Sequence, residues 1–350
     1  MPTSKRIRDF IGPIENYYPG LGLPVFYGTL SVIAHKSVFF IADRGKGKTR
    51  VIKLVPDLPN TRTTNWDSFT LEGLDENVGE TIDQQLTWKV EEFSTLSDYH
   101  RSLFLTVCSK IVSDGSYMHH TKKLNINVQN CKLSILIAIQ PRLYSLLANR
   151  FVQWENMAYD RFSKFLLLNP LRADTKDAPL NLEVPSNLLP IEEIGVGNAN
   201  LEKIVEIYKG QVSEGRAFLY ARDYVKSIAS FLGENEIKQE HADLFYELFH
   251  PYLNSFSTLQ FARDLESPIE VSAGEMKLFT EIGSYKGSIR KDMLAKKLRV
   301  GDRDVEIYAE KLIERGLITK KTHNGEKGQQ TEYTLNTQLE EFFKSYTSRL

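Results

Sequence analysis

The fold of this 350-residue chain is decided by residues 39–49, FFIADRGKGKT. A short apolar run, typical of a buried strand, leads into a turn rich in glycine and lysine, and a helical pattern follows. Backbone N–H groups of such a turn and of the following helix N-terminus converge on phosphate groups. The sequence therefore predicts a nucleoside triphosphate site at the end of this strand.

The turn fits the looser form of the Walker A motif. Lys48 is expected to reach the β- and γ-phosphate oxygens of ATP, and Thr49 to ligate Mg²⁺. Ala42 stands where the motif usually begins with glycine, so the loop must turn there without the freedom of positive φ. ATP and Mg²⁺ are thus the predicted cofactors, and the predicted cofactor-binding residues are Asp43, Arg44, Gly45, Lys46, Gly47, Lys48, Thr49 and Arg50.

The composition is that of a folded chain with no global charge field. Hydrophobic residues make up 41% and charged residues 25% of the sequence, which argues against intrinsic disorder. Lysine and arginine number 44 against 45 aspartate and glutamate, for a net charge of −1. Any binding of nucleic acid must therefore come from local basic patches.

Cysteine content and hydropathy indicate a cytoplasmic protein. Cys108 and Cys131 are the only cysteines, too few for a disulfide framework or a zinc site. No apolar run approaches a membrane span, so no membrane partner is expected. Lys5, Arg6 and Arg8 lie near the start without an apolar signal core.

The order of the predicted elements defines three domains. Residues 1–190 alternate apolar strands (38–42, 86–90, 133–139 and 165–168) with helical patterns, which is typical of an α/β core with a parallel sheet flanked by helices. A proline-rich stretch at 170–190 is expected to be a linker or surface excursion. Residues 191–271 form a predicted all-α domain with helices at 201–212, 216–232, 237–253 and 258–270.

The third domain, 272–350, has the pattern of a winged helix. Helices are predicted at 274–282, 289–298 and 303–315, followed by strands at 317–321 and 332–335 around an Asn324-Gly325 turn. Residues 284–327 contain 12 Lys or Arg against 7 Asp or Glu. This excess suits contact with DNA phosphates, although a winged helix can also dock on protein. The predicted DNA-binding residues here are Arg303, Lys311, Lys320 and Lys321.

A second catalytic element is expected in residues 86–93, LTWKVEEF, where an apolar strand ends in two carboxylates. Glu91 would be the metal-side carboxylate, a second Mg²⁺ ligand beside Thr49. Glu92 would be the base that positions water for attack on the γ-phosphate. Lys89 is unusual inside a buried strand, and a solvated strand end is the alternative.

Residues 91–101, EEFSTLSDYHR, resemble the Asp-Glu-Phe-Asp-Lys-Met segment and Asp-Arg helix of the minichromosome maintenance (MCM) helicases, a family of AAA+ ATPases. Further segments resemble the same family in the same order along the chain. They are 71–74 (LEGL), 110–125 (a hairpin segment), 134–141 (SILIAIQP), 160–168 (DRF followed by a strand) and 263–266 (RDLE). The related magnesium chelatase and gas-vesicle ATPases share this core.

The resemblance implies an AAA+ P-loop core with a helical lid and a C-terminal winged helix. It implies a homo-oligomeric ring, expected to be hexameric, that couples ATP hydrolysis to translocation on DNA or its remodelling, as a helicase does. The chain departs from the family in its Glu-Glu pair, in Gln140 where the family has asparagine, and in lacking the family's long N-terminal domain.

Further catalytic roles follow from the resemblance. Gln140 would orient the lytic water. Arg161 would be an arginine finger reaching a neighbouring subunit's nucleotide, with Arg150 as the competing candidate, and Arg263 would be a second cation on the nucleotide.

The resemblance also aims Lys122 and Lys123, in the hairpin segment, at DNA in a central pore, where they would contact phosphates largely independently of sequence. An exposed hairpin whose charges only add solubility is the alternative. Two other functions remain open: a nucleotide-gated DNA-binding or recruitment factor with weak hydrolysis, and a chelatase-type ATPase that remodels proteins.

Overall fold

The structure is a computed structural model of the chain. The chain forms two compact units, Met1–Ser257 and Thr258–Leu350. The structure describes residues 3–42, 45–141, 143–144, 160–167, 180, 182–258, 273–283, 285, 287–314, 318–325 and 328–335.

The first unit combines strands and helices that alternate along the chain. Its strands are β1 (Ser37–Ile41), β2 (Thr61–Asn65), β3 (Glu80–Ile82), β4 (Gln85–Val90), β5 (Tyr117–His120), β6 (Asn125–Gln129), β7 (Lys132–Ile139) and β8 (Phe162–Leu166). Its helices are α1 (Thr3–Tyr17), α2 (Gly22–Ile33), α3 (Lys48–Leu54), α4 (Leu71–Asn77), α5 (Asp98–Asp114), α6 (Glu202–Lys209), α7 (Glu214–Leu232) and α8 (Gln239–Thr258), with a 3₁₀ turn at Phe93–Thr95.

A five-stranded parallel sheet in the order β2-β4-β7-β1-β8 forms the centre of this unit. All five residues of β1 are buried, as are Leu133–Ile139 of β7. Parallel strands covered on both faces are continuous apolar runs, which is why the sequence predicts them well. The expected α/β architecture with a parallel sheet flanked by helices is therefore confirmed.

Strand β8 begins three residues earlier than the sequence predicts, because its first half contains two polar residues and does not read as an apolar run. Ser163 and Lys164 are both fully buried. The Ser163 hydroxyl lies 2.9 Å from the hydroxyl of Tyr224, and the Lys164 backbone N–H donates to Gln211 Oε1 at 2.8 Å. Buried polar groups are tolerated where they are hydrogen-bonded, a condition that hydropathy does not detect.

A smaller sheet, in the order β3-β6-β5, contains a hairpin that overlaps the later part of the predicted segment 110–125, whereas residues 110–114 belong to α5. Strands β5 and β6 pair antiparallel, and the backbone N–H of Thr121 donates to Leu124 O at 2.9 Å to close the turn between them.

The helices after β8 pack into the same unit as the large sheet. Tyr27 of α2 and Tyr208 of α6 join their hydroxyls at 3.0 Å, and the ring of Tyr224 on α7 stacks on both. The end of the proline-rich stretch packs against α7. The carbonyl oxygens of Leu189 and Ile191 accept hydrogen bonds from the side chains of Ser230 and Lys226. The predicted helix 258–270 lies outside the described residues except for Thr258.

The second unit contains α9 (Ala273–Gly283), β9 (Ile289–Arg290), α10 (Lys291–Leu298), α11 (Asp302–Glu314), β10 (Ile318–Gly325) and β11 (Gly328–Leu335). The strands form an antiparallel sheet in the order β10-β11-β9. Each of these helices and strands contributes at least one buried apolar side chain: Leu278, Ile289, Leu294, Val305, Leu312, Ile318 and Tyr333.

Two local features of this unit differ from the sequence-based expectation. The predicted helix 289–298 starts with the short strand β9, because Ile289 pairs with Tyr333 of β11. Asn324 and Gly325 end strand β10 instead of forming the turn, since Gly325 pairs with Gly328. The connecting residues 326–327 lie outside the described part of the chain.

Candidate nucleotide-binding site

The sequence motifs meet at the carboxyl edge of the large sheet. Ile41 at the end of β1 pairs with Ile139 of β7 and with Leu166 of β8. Val90 at the end of β4 pairs with Ile137. The glycine-rich loop, the two glutamates after β4 and Gln140 after β7 therefore leave the sheet at nearly the same level.

This edge also contains the topological switch of the sheet. The chain runs from β1 toward β2 at one border, whereas it runs from β7 to β8 at the other. Neighbouring strands β1 and β7 thus send their connections in opposite directions. Open α/β sheets bind ligands in the crevice that such a divergence leaves at the carboxyl ends of the strands.

The loop has the backbone conformation that its glycines permit. Gly45 has φ +79° and Gly47 has φ +84°, both in the left-handed region. A Cβ atom at Gly45 would meet no described atom within 4 Å, so backbone conformation rather than space requires glycine there. Gly47 is the N-cap of α3, which directs the free N–H groups of the first helical turn toward the crevice.

The predicted phosphate-binding residues occupy the start of α3. Lys48 is 8% exposed, and Lys46, Thr49 and Arg50 are half-buried. The guanidinium carbon of Arg50 lies 5.1 Å from the centre of the Tyr18 ring, so Arg50 packs against the α1–α2 connection. Asp43 and Arg44 lie outside the described residues.

Glu91 lies next to the first two turns of α3. The Thr49 hydroxyl donates to the backbone oxygen of Glu91 at 3.2 Å. Nζ of Lys53 lies 2.9 Å from Oε2 of the same residue. Thr49 and Lys53 are four residues apart and share one helix face, so α3 contacts the end of β4 through both. The two predicted Mg²⁺ ligands, Thr49 and Glu91, are therefore neighbours.

Glu92 and Gln140 also lie at this edge. The Glu92 side chain is exposed, and its backbone oxygen accepts from Thr95 N at 3.1 Å in the 3₁₀ turn. Gln140 is half-buried and directly follows β7, whose last residue, Ile139, accepts a 3.2 Å hydrogen bond from Ala42 N. The amide of Gln140 thus starts one residue beyond the point where the loop leaves the sheet.

The buried lysine of β4 fixes the other end of α3. Nζ of Lys89 donates to the oxygen of Val55, the C-cap of α3, at 2.7 Å and to Oδ1 of Asp57 at 2.9 Å. A cation at a helix C-terminus satisfies an orphan carbonyl and complements the helix dipole. The sequence analysis predicted neither role, that of Lys53 or that of Lys89. For Lys53, the one available signal was its position four residues after Thr49, on the same helix face.

Arg161 stands at the opposite, amino edge of the sheet. It precedes Phe162, which pairs with Ser37 at the start of β1. At ~3.3 Å per residue, the four residues from Ser37 to Ile41 separate Arg161 from the loop by about 13 Å along the sheet. Arg161 donates to the Ser113 hydroxyl, and its buried Nε has no partner among the described residues.

The electrostatic surroundings of Arg161 are mixed. Burial and the neighbouring Arg216 lower the pKa of Arg161, while Asp160 and Asp114 raise it. Asp160 itself pairs with Arg216 at 2.9 Å. Arg161 thus has charges of both signs around it. The other two predicted arginines, Arg150 and Arg263, lie outside the described residues.

Lys122 and Lys123 occupy the exposed turn of the β5–β6 hairpin. The Thr121 hydroxyl accepts from Lys123 N at 3.2 Å and from Leu124 N at 3.0 Å, which fixes the turn. Both ammonium groups therefore project from a short, ordered tip.

In the second unit, the predicted basic residues have different surroundings. Arg303, Lys320 and Lys321 are exposed. Lys311 pairs at 3.1 Å with Glu275, a fully buried carboxylate of α9, so its charge is largely offset within the unit. Helix α11 has five acidic and two basic residues. The local positive excess therefore comes from α10, its flanks and β10.

Glu234, Glu240 and His241 form a group with metal-type ligand atoms within 4.8 Å of one another. His241 Nδ1 accepts from Lys238 N at 3.1 Å, which places the ring proton on Nε2. Nε2 lies 3.5 Å from Glu234 Oε2 and therefore faces the carboxylate as a donor. This arrangement favours a structural histidine at the start of α8.

The donor set at the carboxyl edge suits a nucleotide with Mg²⁺. The N-terminus of α3, the left-handed glycines and Lys48 form a cradle for phosphate oxygens. A threonine hydroxyl and a carboxylate are the hard oxygen ligands that Mg²⁺ prefers. The Lys53 ammonium lies against the same carboxylate.

Comparison with known proteins leaves the family open. No family model and no curated protein matches the sequence. Among solved structures, the chain is similar to the Aeropyrum pernix ORC1 protein in complex with DNA, with 10% identity over 92% of this chain and 91% of that chain, at a TM-score of 0.27. It is also similar to Drosophila ORC bound to DNA, with 10% identity over 92% and 84%, at a TM-score of 0.23. At these scores neither likeness identifies the function.

Proposed function

We propose that this protein is a P-loop ATPase of the AAA+ class that acts on DNA. One observation carries the proposal: the helix that follows the left-handed glycine loop contacts Glu91, 46 residues after Gly45 in sequence, at the switch point of a parallel sheet. The contact between Thr49 and Glu91 joins the phosphate cradle to the acidic strand end, as hydrolysis of a triphosphate requires.

The residues divide the chemistry among them. Lys48 and the N–H groups of α3 hold the phosphates, and Thr49 and Glu91 would hold Mg²⁺, which supplies charge neutralisation when bound. Glu92 is exposed at the strand end, where it can accept a proton from water, and Gln140 can orient that water through its amide. Each group leaves the sheet at the same edge as the loop.

Assembly into a ring, expected to be hexameric, is part of the proposal. Arg161 lies at the sheet edge away from its own loop, so it can stabilise transition-state charge only on the nucleotide of a neighbouring subunit. The buried Nε has no partner among the described residues, which supports a guanidinium with a hydrogen bond left to give.

DNA is proposed as the partner through two basic regions. The hairpin tip presents Lys122 and Lys123, and the second unit, proposed to be a winged helix, presents Lys320 and Lys321 on β10 together with Arg303. Point charges on exposed turns and strands contact phosphates without reading bases. Movement along DNA or its remodelling, as in an MCM-type helicase, would use these sequence-independent phosphate contacts.

Two observations favour second candidates. Lys53 forms an ion pair with Glu91, the proposed Mg²⁺ ligand, and a carboxylate paired in this way binds metal less readily. This favours a nucleotide-gated DNA-binding or recruitment factor with weak hydrolysis. The acidic surface of α11, the helix expected to read DNA, favours docking on a protein and hence a chelatase-type remodelling ATPase. Turnover distinguishes the first candidate from a motor, and stimulation by DNA distinguishes the second.

Nucleotide binding is tested with Lys48→Ala in a calorimetric titration of ATP. The variant should lose measurable binding while its circular dichroism and thermal unfolding stay those of the wild type. Lys203→Ala, an exposed lysine on α6, is the matched control. Unchanged affinity in Lys48→Ala would show that the loop is not a phosphate site.

DNA action is tested by ATPase rates and fluorescence anisotropy across salt concentrations. Binding should be indifferent to sequence, with log K falling by roughly 0.9 per phosphate contact for each unit of log salt. Lys122→Gln with Lys123→Gln should reduce ATPase stimulation more than affinity, and deletion of residues 272–350 should do the reverse. Absence of binding at low salt would favour the protein-remodelling candidate.

A further inference from the structure

Glu91 already has a cationic partner in this chain. Nζ of Lys53 lies 2.9 Å from Oε2 of Glu91, and the carboxylate side chain is only 22% exposed. Lys53 belongs to the second turn of α3, one turn beyond Thr49. The ammonium therefore lies on the same helix face as the hydroxyl expected to bind metal.

The two ends of this ion pair are held in different ways. Glu91 is fixed by the Thr49 hydrogen bond to its backbone oxygen and by its position directly after β4. The α3 backbone near Lys53 is fixed by Lys89, which caps the helix at Val55. The Lys53 side chain is 53% exposed, so its ammonium can leave Glu91 for water without unfolding the helix.

We propose that Lys53 competes with Mg²⁺ for the Glu91 carboxylate, so that metal enters the site only when this ion pair opens. The inference rests on the proposed nucleotide site at the carboxyl edge. A dication drawn to Glu91 meets an ammonium already in place, because both cations require the same oxygen atoms. Nucleotide then binds through the loop and α3 with little dependence on Mg²⁺, whereas metal loading becomes a separate, gated step.

The test measures metal affinity directly. Mn²⁺ serves as a probe for the Mg²⁺ site, and its free concentration is followed by electron paramagnetic resonance with the protein saturated by a non-hydrolysable ATP analogue. Lys53→Gln removes the charge and leaves a polar side chain one atom shorter, so the Mn²⁺ dissociation constant should fall about tenfold, since one close repulsive charge is lost. Lys53→Arg should remain within about twofold of the wild type, because the charge is kept.

Two controls separate competition from a general charge effect. Lys209→Gln opens a comparable lysine–glutamate pair on α6, whose nitrogen lies 2.6 Å from Glu206, and should leave Mn²⁺ affinity unchanged. In a Glu91→Gln background, Lys53→Gln should give no gain in Mn²⁺ affinity, because the carboxylate for which the two cations compete has been removed.

The outcomes distinguish this inference from the function on which it rests. Equal Mn²⁺ affinity in the wild type and Lys53→Gln would overturn the competition and leave the nucleotide site standing. An equal gain in the wild-type and Glu91→Gln backgrounds would also overturn it. Failure of the wild-type protein to bind the ATP analogue, with or without metal, would instead refute the proposed function.

Discussion

Nζ of Lys89 donates a 2.7 Å hydrogen bond to the carbonyl oxygen of Val55, the residue that caps the C-terminus of α3. A charge buried in the central sheet thus holds the helix that carries Lys48 and Thr49. The same helix contacts Glu91 through Thr49, so the loop helix is attached to strand β4 at both of its ends.

Lys89→Met should lower the free energy of unfolding by about 2 kcal/mol, because a buried carbonyl loses a charged donor. Chemical denaturation monitored by circular dichroism measures this change. Asp57→Asn is the matched control: Asp57 is 68% exposed, so weakening its pair with Lys89 should cost under about 1 kcal/mol. Equal losses in the two variants would show that the helix cap contributes nothing of its own.

Glu92→Gln should bind ATP like the wild type and hydrolyse it at least ~10²-fold more slowly, a typical loss when a general base is removed. Steady-state turnover and calorimetric binding are measured on the same samples. Glu72→Gln removes another carboxylate, exposed in α4, and should leave turnover unchanged. Wild-type turnover in Glu92→Gln would mean that the catalytic base lies elsewhere.

Arg161→Ala should bind nucleotide normally yet lose hydrolysis, since its guanidinium is predicted to act on the neighbouring subunit. Mixing it with Lys48→Ala should restore part of the activity, because some interfaces then combine an intact loop with an intact finger. Turnover is recorded over a series of mixing ratios, with subunit exchange verified by fluorescence energy transfer. No recovery despite exchange would favour Arg150 or a purely structural role.

Lys164 predicts a rise in stability with alkaline pH. The residue is fully buried, and burial lowers the pKa of its ammonium from the usual 10.5 to about 7. The unfolded chain therefore holds this proton between pH 7 and 10 while the folded chain has released it, so stability increases as pH rises through that window. The gain in stability from pH 7 to 9 is about 2 kcal/mol, because the folded chain has already released half of this proton at pH 7.

Denaturant unfolding of the wild type and Lys164→Met at pH 7, 8 and 9 measures this effect. The variant should lose the slope whatever its absolute stability, because only the titrating amine is removed. Parallel curves for the two proteins would assign the slope to other groups.

The sequence alone determined most local elements and the position of the candidate nucleotide-binding loop. Strands β1 and β7 are largely apolar runs and β4 combines apolar residues with Lys89, and the positions of all three follow from hydropathy to within one residue. The glycine spacing of the loop predicted a backbone with positive φ, and Gly45 and Gly47 both adopt it. Strand β8 and the turn beyond Gly325 were placed less accurately, because buried polar pairs and hairpin register depend on contacts distant in sequence.

Only the tertiary structure decided how the motifs meet. Strand β7 inserts between β1 and β4, so α3 must cross it to reach Glu91, and no local pattern encodes that order. The same crossing gives Lys53 and Lys89 their roles near the C-terminal end of α3, since each partner lies more than 30 residues away in sequence. Short-range periodicity fixes which face of an element is buried, whereas the partner of a charged side chain is fixed by packing across the sheet.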